Sequence, residues 1–239
     1  MQIMNVGTWR NSRQNLKVYV TWFHFLKNFQ MNGEGKNLSD FINDSINLLH
    51  IHDLEISKNY RALRVAAFFG LIKMKTSSYE DSIITSTFEE INNRCGGHFE
   101  KINLYADIMQ RQIEKMFVST EIDEKHQDVR KKYRLYPVML LYKILIEIGR
   151  ASGEYSISMN KYRYIVATTT DFKDFGNTLV LIKLLRSEKS VETEFEQYRT
   201  KFDNRFIKAL KQLPTLEIDK NGISLKKNFI EDVAAKVFF

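Results

Sequence analysis

Apolar side chains recur at spacings of three and four along most of this chain, and that periodicity constrains its fold more than any other feature. Between Leu16 and Phe29 the apolar positions include Val18, Trp22, Phe25, Leu26 and Phe29, which a helix gathers on one face. The glycines of "MNGEGKN" break that helix, and Ser39 caps a second one over Leu38 to Leu49, with a stripe at Phe41, Ile42, Ile46 and Leu49. "HIHDLEI" is a connector. Ser57 caps a third helix, "KNYRALRVAAFFGLI", which stops near Gly70. The next stretch, "LIKMKTSSYEDSIITSTF", is β-branched and carries a polar turn, so two short paired strands are expected there. Three helices and then a hairpin make the outline of a winged helix-turn-helix.

A longer amphipathic pattern follows from His98 to Phe117, with stripe residues Ile102, Tyr105, Ala106, Met109, Ile113 and Phe117. "STEIDEKHQDVRKKYR" is almost wholly polar and mixed in charge, as a linker would be. A second unit opens beyond it. Pro137 sits in a first helical turn, Leu140, Leu141, Ile144, Leu145 and Ile148 form the core stripe, and Gly149 is expected to end the helix. "YSIS" reads as a strand stub, and Ser158 as the cap of a short helix bearing Lys161, Tyr162, Arg163 and Tyr164. Phe175 to Arg186 and Glu192 to Leu213 read as further helices, and "TLEIDKNGISLKK" alternates around Asn221-Gly222 as a closing hairpin. The first layout thus returns in outline, without a close sequence repeat. The expected architecture is mainly α: two winged helix-turn-helix units, each with a small β-hairpin wing, joined by a helical linker. The boundaries fall at 1–95, 96–134 and 135–239.

Charge points to a class of partner. The chain carries 36 Lys and Arg against 29 Asp and Glu, a formal +7, and nucleic acid is the commonest polyanion. A single cysteine, Cys95, excludes an internal disulfide framework and suits a reducing cytoplasm. "MQIMNVGTWRNSRQ" lacks the apolar stretch of a signal peptide, and no window reaches the roughly 18 apolar residues of a membrane span. A cytoplasmic protein with no membrane partner is expected.

The third helix sets Lys58, Arg61 and Arg64 on one face with Asn59 nearby, opposite Leu63, Ala67 and Gly70. Such a face suits a major groove, where arginine pairs with guanine and asparagine with adenine; a solvated basic face is the plainer alternative. On the short helix after "YSIS", Tyr162, Ile165 and Val166 are expected in the core, leaving Lys161, Arg163 and Tyr164 for DNA. Core aromatics with incidental charge is the alternative there. Whether this helix or the next, with Lys183 and Arg186, enters the groove stays open. "RKKYR", Arg130 to Arg134, is a phosphate contact or a solvated linker. In "GTWRNSR", Arg10, Asn11 and Arg13 lie on a loop ahead of the first helix, where they suit a DNA backbone.

The opening "GTWRNSR", the helix "NYRALRVAAFFGLI" and the proline-led apolar helix followed by "ISMNKYRYIVATT" together resemble the recognition region of AlwI- and BstNBI-type restriction and nicking endonucleases. The resemblance covers most of the chain in layout and rests on short motifs. It implies a plan similar to FokI, with winged-helix recognition domains joined to a separate, Mg²⁺-dependent nuclease domain or subunit. A nuclease of that kind needs an acidic residue and then an acidic-x-Lys, so that carboxylates hold the metal. Here Asp171-Phe172-Lys173, with Glu154 upstream, is the one candidate; the run before it reads better as helix, so no catalytic residue is expected. The chain stops at "EDVAAKVFF" in a helical pattern, as a fragment would. His50, His52 and Asp53 read as helix-terminal polarity and Cys95 with His98 as a turn; neither a Walker loop nor a dinucleotide fingerprint occurs. The expected function is sequence-specific binding of double-stranded DNA, as the recognition portion of a restriction endonuclease. A plasmid replication initiator, a transcription regulator and a helical protein-interaction module are the alternatives.

Overall fold

The computed structural model describes residues 26–27, 29–31, 37, 40, 70–73, 82–95, 106–119, 134–185, 205–211 and 213–238. Helix accounts for 66% of them and the strands form small antiparallel sheets, so the chain is mainly α as its periodicity demands. It divides into two compact units, one of Gly7–Gln112 and one that takes in Ile113–Phe239.

In the first unit the paired strands expected after Gly70 are present. β1 (Ile72–Lys73) runs antiparallel to β2 (Ile83–Ile84), with Ile72 opposite Ile84. The expected strand through Phe88 is corrected. Thr85 ends the pairing and starts helix α1 (Ser86–Cys95). Its hydroxyl donates to the carbonyls of Gly70 and Leu71 at 2.8 and 2.9 Å, and its Oγ1 lies 3.4 Å from the Phe88 N–H. A threonine able to satisfy a free helical N–H makes the switch from strand to helix at that residue. Phe88 and Ile91 are then fully buried, as is Leu26, while Lys27 pairs with Glu89 at 2.7 Å.

Helix α2 (Ala106–Lys115) is the described part of the long amphipathic pattern, and Ile113 of its stripe is buried. The polar linker after it is closed at its ends: β3 (Val118–Ser119) pairs antiparallel with β4 (Arg134–Leu135).

Helix α3 (Pro137–Ser152) forms the core of the second unit. Proline fits its first turn, where an N–H has no helical partner to lose. Val138, Leu140, Leu141, Tyr142, Ile144, Leu145 and Ile146 are all buried, each large aliphatic worth about 1.5–3 kcal/mol. Gly149 does not end this helix. A methyl group there would overlap the Tyr155 ring, so the glycine lets that ring lie against the helix. The stop comes one turn later at Gly153, whose φ of 80° only glycine adopts freely and whose N–H bonds the Gly149 carbonyl at 2.8 Å.

β5 (Ser156–Ser158) follows, then α4 (Met159–Tyr164), α5 (Phe175–Leu184), α6 (Arg205–Leu210), β6 (Leu216–Ile218), β7 (Gly222–Leu225) and α7 (Ile230–Phe238). The three strands form one antiparallel sheet in the order β5–β7–β6. Ile157 faces Ile223, and Ile218 faces Ile223 from the other side. α7 packs along α3 and buries Val233 completely. Polar groups tie these layers together. The Tyr142 hydroxyl donates to Glu114 Oε1 at 2.9 Å and lies 2.6 Å from Thr215 Oγ1, while Lys236 of α7 pairs with Glu114 Oε2 at 2.8 Å. Burial pushes the Tyr142 phenol well above its ordinary pKa, with the neighbouring Glu114 charge adding to the rise. No helix among the described residues is long and apolar enough to cross a membrane.

Candidate nucleic-acid interface

One end of the β5–β7–β6 sheet is built by a single aspartate. Asp219 Oδ1 accepts the N–H groups of Asn221 and Gly222 at 2.8 and 2.9 Å, and the Asp219 N–H bonds the Gly222 carbonyl. The Gly222 and Asn221 amides hold this carboxyl below the usual range. The hairpin expected at Asn221-Gly222 is therefore present, but the glycine serves another purpose there. Among the described glycines, positive φ occurs at Gly70 and Gly153. At Gly222 a methyl group would overlap the Ile157 carbonyl oxygen, so a side chain is excluded by the approach of β5.

This turn is bonded to the next helix. The Met159 N–H donates to the Asn221 carbonyl at 2.8 Å, and Ser158 Oγ caps α4 by accepting the Lys161 N–H at 3.2 Å. The expected cap is thus present, and it sets half-buried Lys161 at the sheet end that also carries Lys220. At the other end, the Lys226 N–H bonds the Thr215 carbonyl at 3.0 Å, and Lys227 follows. Lys211, Lys220, Lys226 and Lys227 are exposed and make no ion pair among the described residues. Over Lys211 to Lys227 these four lysines face only Glu217 and Asp219, and Asp219 is occupied by backbone amides.

In α6, which precedes this hairpin, Phe206, Ile207, Ala209 and Leu210 are buried, and the sequence places Arg205, Lys208 and, just after the helix, Lys211 at intervals of three. Those cations at intervals of three were a signal legible in the sequence. The lysines flanking the hairpin carried a similar one.

Of the residues expected to meet DNA, Lys161, Arg163 and Tyr164 are described. Tyr162, Ile165 and Val166 are buried as expected, and burial raises the Tyr162 phenol pKa strongly. Tyr164 is corrected: at 5% exposure it packs inside and does not remain available for phosphate. Arg163 is half-buried. Arg10, Asn11, Arg13, Lys58, Asn59, Arg61 and Arg64 lie outside the described residues, as do Arg186, His50, His52 and Asp53. α5 exposes Asn177 and Lys183, yet the large side chains exposed beside them are Val180, Leu181 and Leu184, which offer a groove no hydrogen bonds.

The run before Asp171 is helical as read, α4 followed by a 3₁₀ turn at Val166–Thr168. Asp171 bridges to Arg134 just before α3, whereas Glu154 lies just beyond its far end. A helix of that length spans about 24 Å, so these two carboxylates do not share a metal ion. Asp171 Oδ1 instead accepts the Lys173 N–H at 2.9 Å. Comparison of the chain with protein-family models, with curated proteins and with solved structures gives no match.

Proposed function

We propose that this chain binds duplex DNA, with the unit beginning at Ile113 acting as a winged helix. The observation that carries this reading is strand order. A helix (α3), a strand (β5), further helices and a hairpin (β6–β7) follow one another, and the last strand lies between the other two. A winged helix builds its sheet in that order, with the reading helix just ahead of the hairpin and the hairpin as the wing. α6 holds the first position, with Arg205 and Lys208 in its sequence and Lys211 just after it, and Lys220 sits at the tip of the second. The exposed aliphatics of α5 argue against that helix as the reader. The excess of 36 basic over 29 acidic residues supports the same partner.

The resemblance to AlwI- and BstNBI-type enzymes extends the proposal to the recognition portion of a restriction endonuclease, with Mg²⁺ bound by a nuclease domain or subunit. The β1–β2 hairpin is the wing that a first winged-helix unit would use.

The test is a fluorescence-anisotropy titration of labelled duplex over a salt series. Each phosphate contact contributes about 0.9 to the slope of log K against log salt. Lys220→Ala should therefore weaken binding to any duplex and flatten the slope by about one unit. Absence of duplex binding at low salt refutes the reading.

A further inference from the structure

A cavity of about 530 Å³ opens in the second unit beside the first turns of α3, within the size range of small-molecule sites. Its walls join segments far apart in sequence: Arg134 on β4, Tyr136 just before α3, Lys143 on α3, Phe172 and Lys173 after the 3₁₀ turn, and Lys236 on α7. Two aromatic rings remain open to solvent at this site. Tyr136 is 46% exposed although it leans on Phe117 with centroids 4.7 Å apart, and Phe172 is 37% exposed although it stacks on Phe175 at 6.2 Å and 13°. Rings held from behind, with free area toward a cavity, are prepared to receive another flat ring.

Charge in the wall is mainly positive, four cations to one acid. Lys143 Nζ lies 5.2 Å from the Phe172 centroid and 4.9 Å from that of Phe175, which fixes a cation against the aromatic wall. Lys236 is bonded to Glu114. Arg134 and Lys173 are exposed and have no ion-pair partner among the described residues. The one acid of the lining, Asp171, already accepts the Lys173 N–H. An occupant of this cavity therefore combines a flat ring with an anion.

We propose that the cavity binds a nucleoside 5′-monophosphate, its base against Tyr136 and Phe172 and its phosphate on Arg134 and Lys173. The group comes either from a free mononucleotide or from the phosphorylated 5′ end of a nucleic-acid strand. The proposal stands on the cavity alone and is independent of the strand order of the sheet.

Isothermal titration of the full chain with adenosine 5′-monophosphate, adenosine and inorganic phosphate tests it, alongside a ten-residue oligodeoxyadenylate with and without a 5′-phosphate. The monophosphate or the phosphorylated oligonucleotide should bind at least about 10-fold more tightly than its phosphate-free counterpart. Phe172→Ala and Lys173→Ala should each weaken that binding by about 10-fold, the scale of one lost stacking or charged contact. Both side chains are exposed, and unchanged melting by circular dichroism verifies that the variants fold. Binding of the mononucleotide alone identifies a free ligand, whereas equal or tighter binding of the phosphorylated strand identifies a strand end. Absence of binding by both at millimolar concentration overturns the proposal, as does binding that neither substitution weakens.

Discussion

Replacing Tyr142 by phenylalanine removes one oxygen from the interior of the second unit and leaves the ring in place. Tyr142 is fully buried, Glu114 is 8% exposed and Thr215 is 3% exposed, so water cannot easily replace the lost hydroxyl. The hydroxyl donates to Glu114 Oε1 at 2.9 Å, a bond to a group that also pairs with Lys236 at 2.8 Å. A hydrogen bond to a charged group contributes about 1.5–3 kcal/mol, and a buried Thr215 hydroxyl left without its partner adds about 1 kcal/mol. The expected loss is about 2–4 kcal/mol. Urea unfolding followed by far-ultraviolet circular dichroism measures it. With a slope of about 1–3 kcal/mol per molar, the midpoint for this unit should fall by on the order of 1 M. Trp9 and Trp22, the only tryptophans, both fall within the Gly7–Gln112 unit, so tryptophan fluorescence reports mainly on the other half of the chain. A loss below about 0.5 kcal/mol would show that Glu114 and Thr215 are satisfied without Tyr142.

The glycines of the second unit should rank by what a methyl group meets. Gly222→Ala strikes the Ile157 backbone carbonyl and should reach or exceed the upper end of about 1–3 kcal/mol; Gly149→Ala strikes a side-chain ring and should fall within that range; Gly153→Ala meets open space and should cost about 1 kcal/mol for its positive φ. Urea midpoints in the opposite order contradict these assignments. Ser158→Ala removes the cap of α4 and should lower stability by about 0.5–2 kcal/mol, measured in the same way. Stability should also decline at alkaline pH. The folded state keeps Tyr142 and Tyr162 protonated while unfolded tyrosines ionise near pH 10, so the folded chain binds more protons and loses stability as pH rises beyond about 10. Absorbance titration at 295 nm should show no native phenolate that Tyr162→Phe removes; an ordinary titration step lost in that variant contradicts this. Asp219 acts at the other extreme. Its lowered pKa stabilises the hairpin above about pH 4, and this contribution fades as pH falls through the folded value, so Asp219→Ala should flatten the acid limb of the stability profile.

The features legible in the sequence were those fixed by neighbouring residues. Pro137 and the apolar run after it defined α3, Ser158 marked the start of α4, and the alternation through Leu216–Leu225 marked the hairpin. The misread positions depended on contacts that spacing alone does not show. Gly149 had the spacing of a helix stop, but Tyr155 folding back onto it makes it a packing position. Thr85 continued a β-branched run, yet its hydroxyl was better used to start α1. Tyr164 sat on a helix of only six residues, too short for its apolar stripe to separate inside from outside. The cavity left no local trace, because Arg134, Asp171 and Lys236 meet only after β4, the 3₁₀ turn and α7 assemble on α3.

Hydrogen–deuterium exchange of the intact chain, with and without a saturating DNA duplex at low salt, tests the proposed winged helix most directly. The account predicts slowed exchange at Met159–Arg163, Arg205–Lys211 and Asp219–Ser224, the start of α4, the proposed reading helix and the wing. Exchange that is unchanged in all three segments while the duplex is demonstrably bound would contradict it.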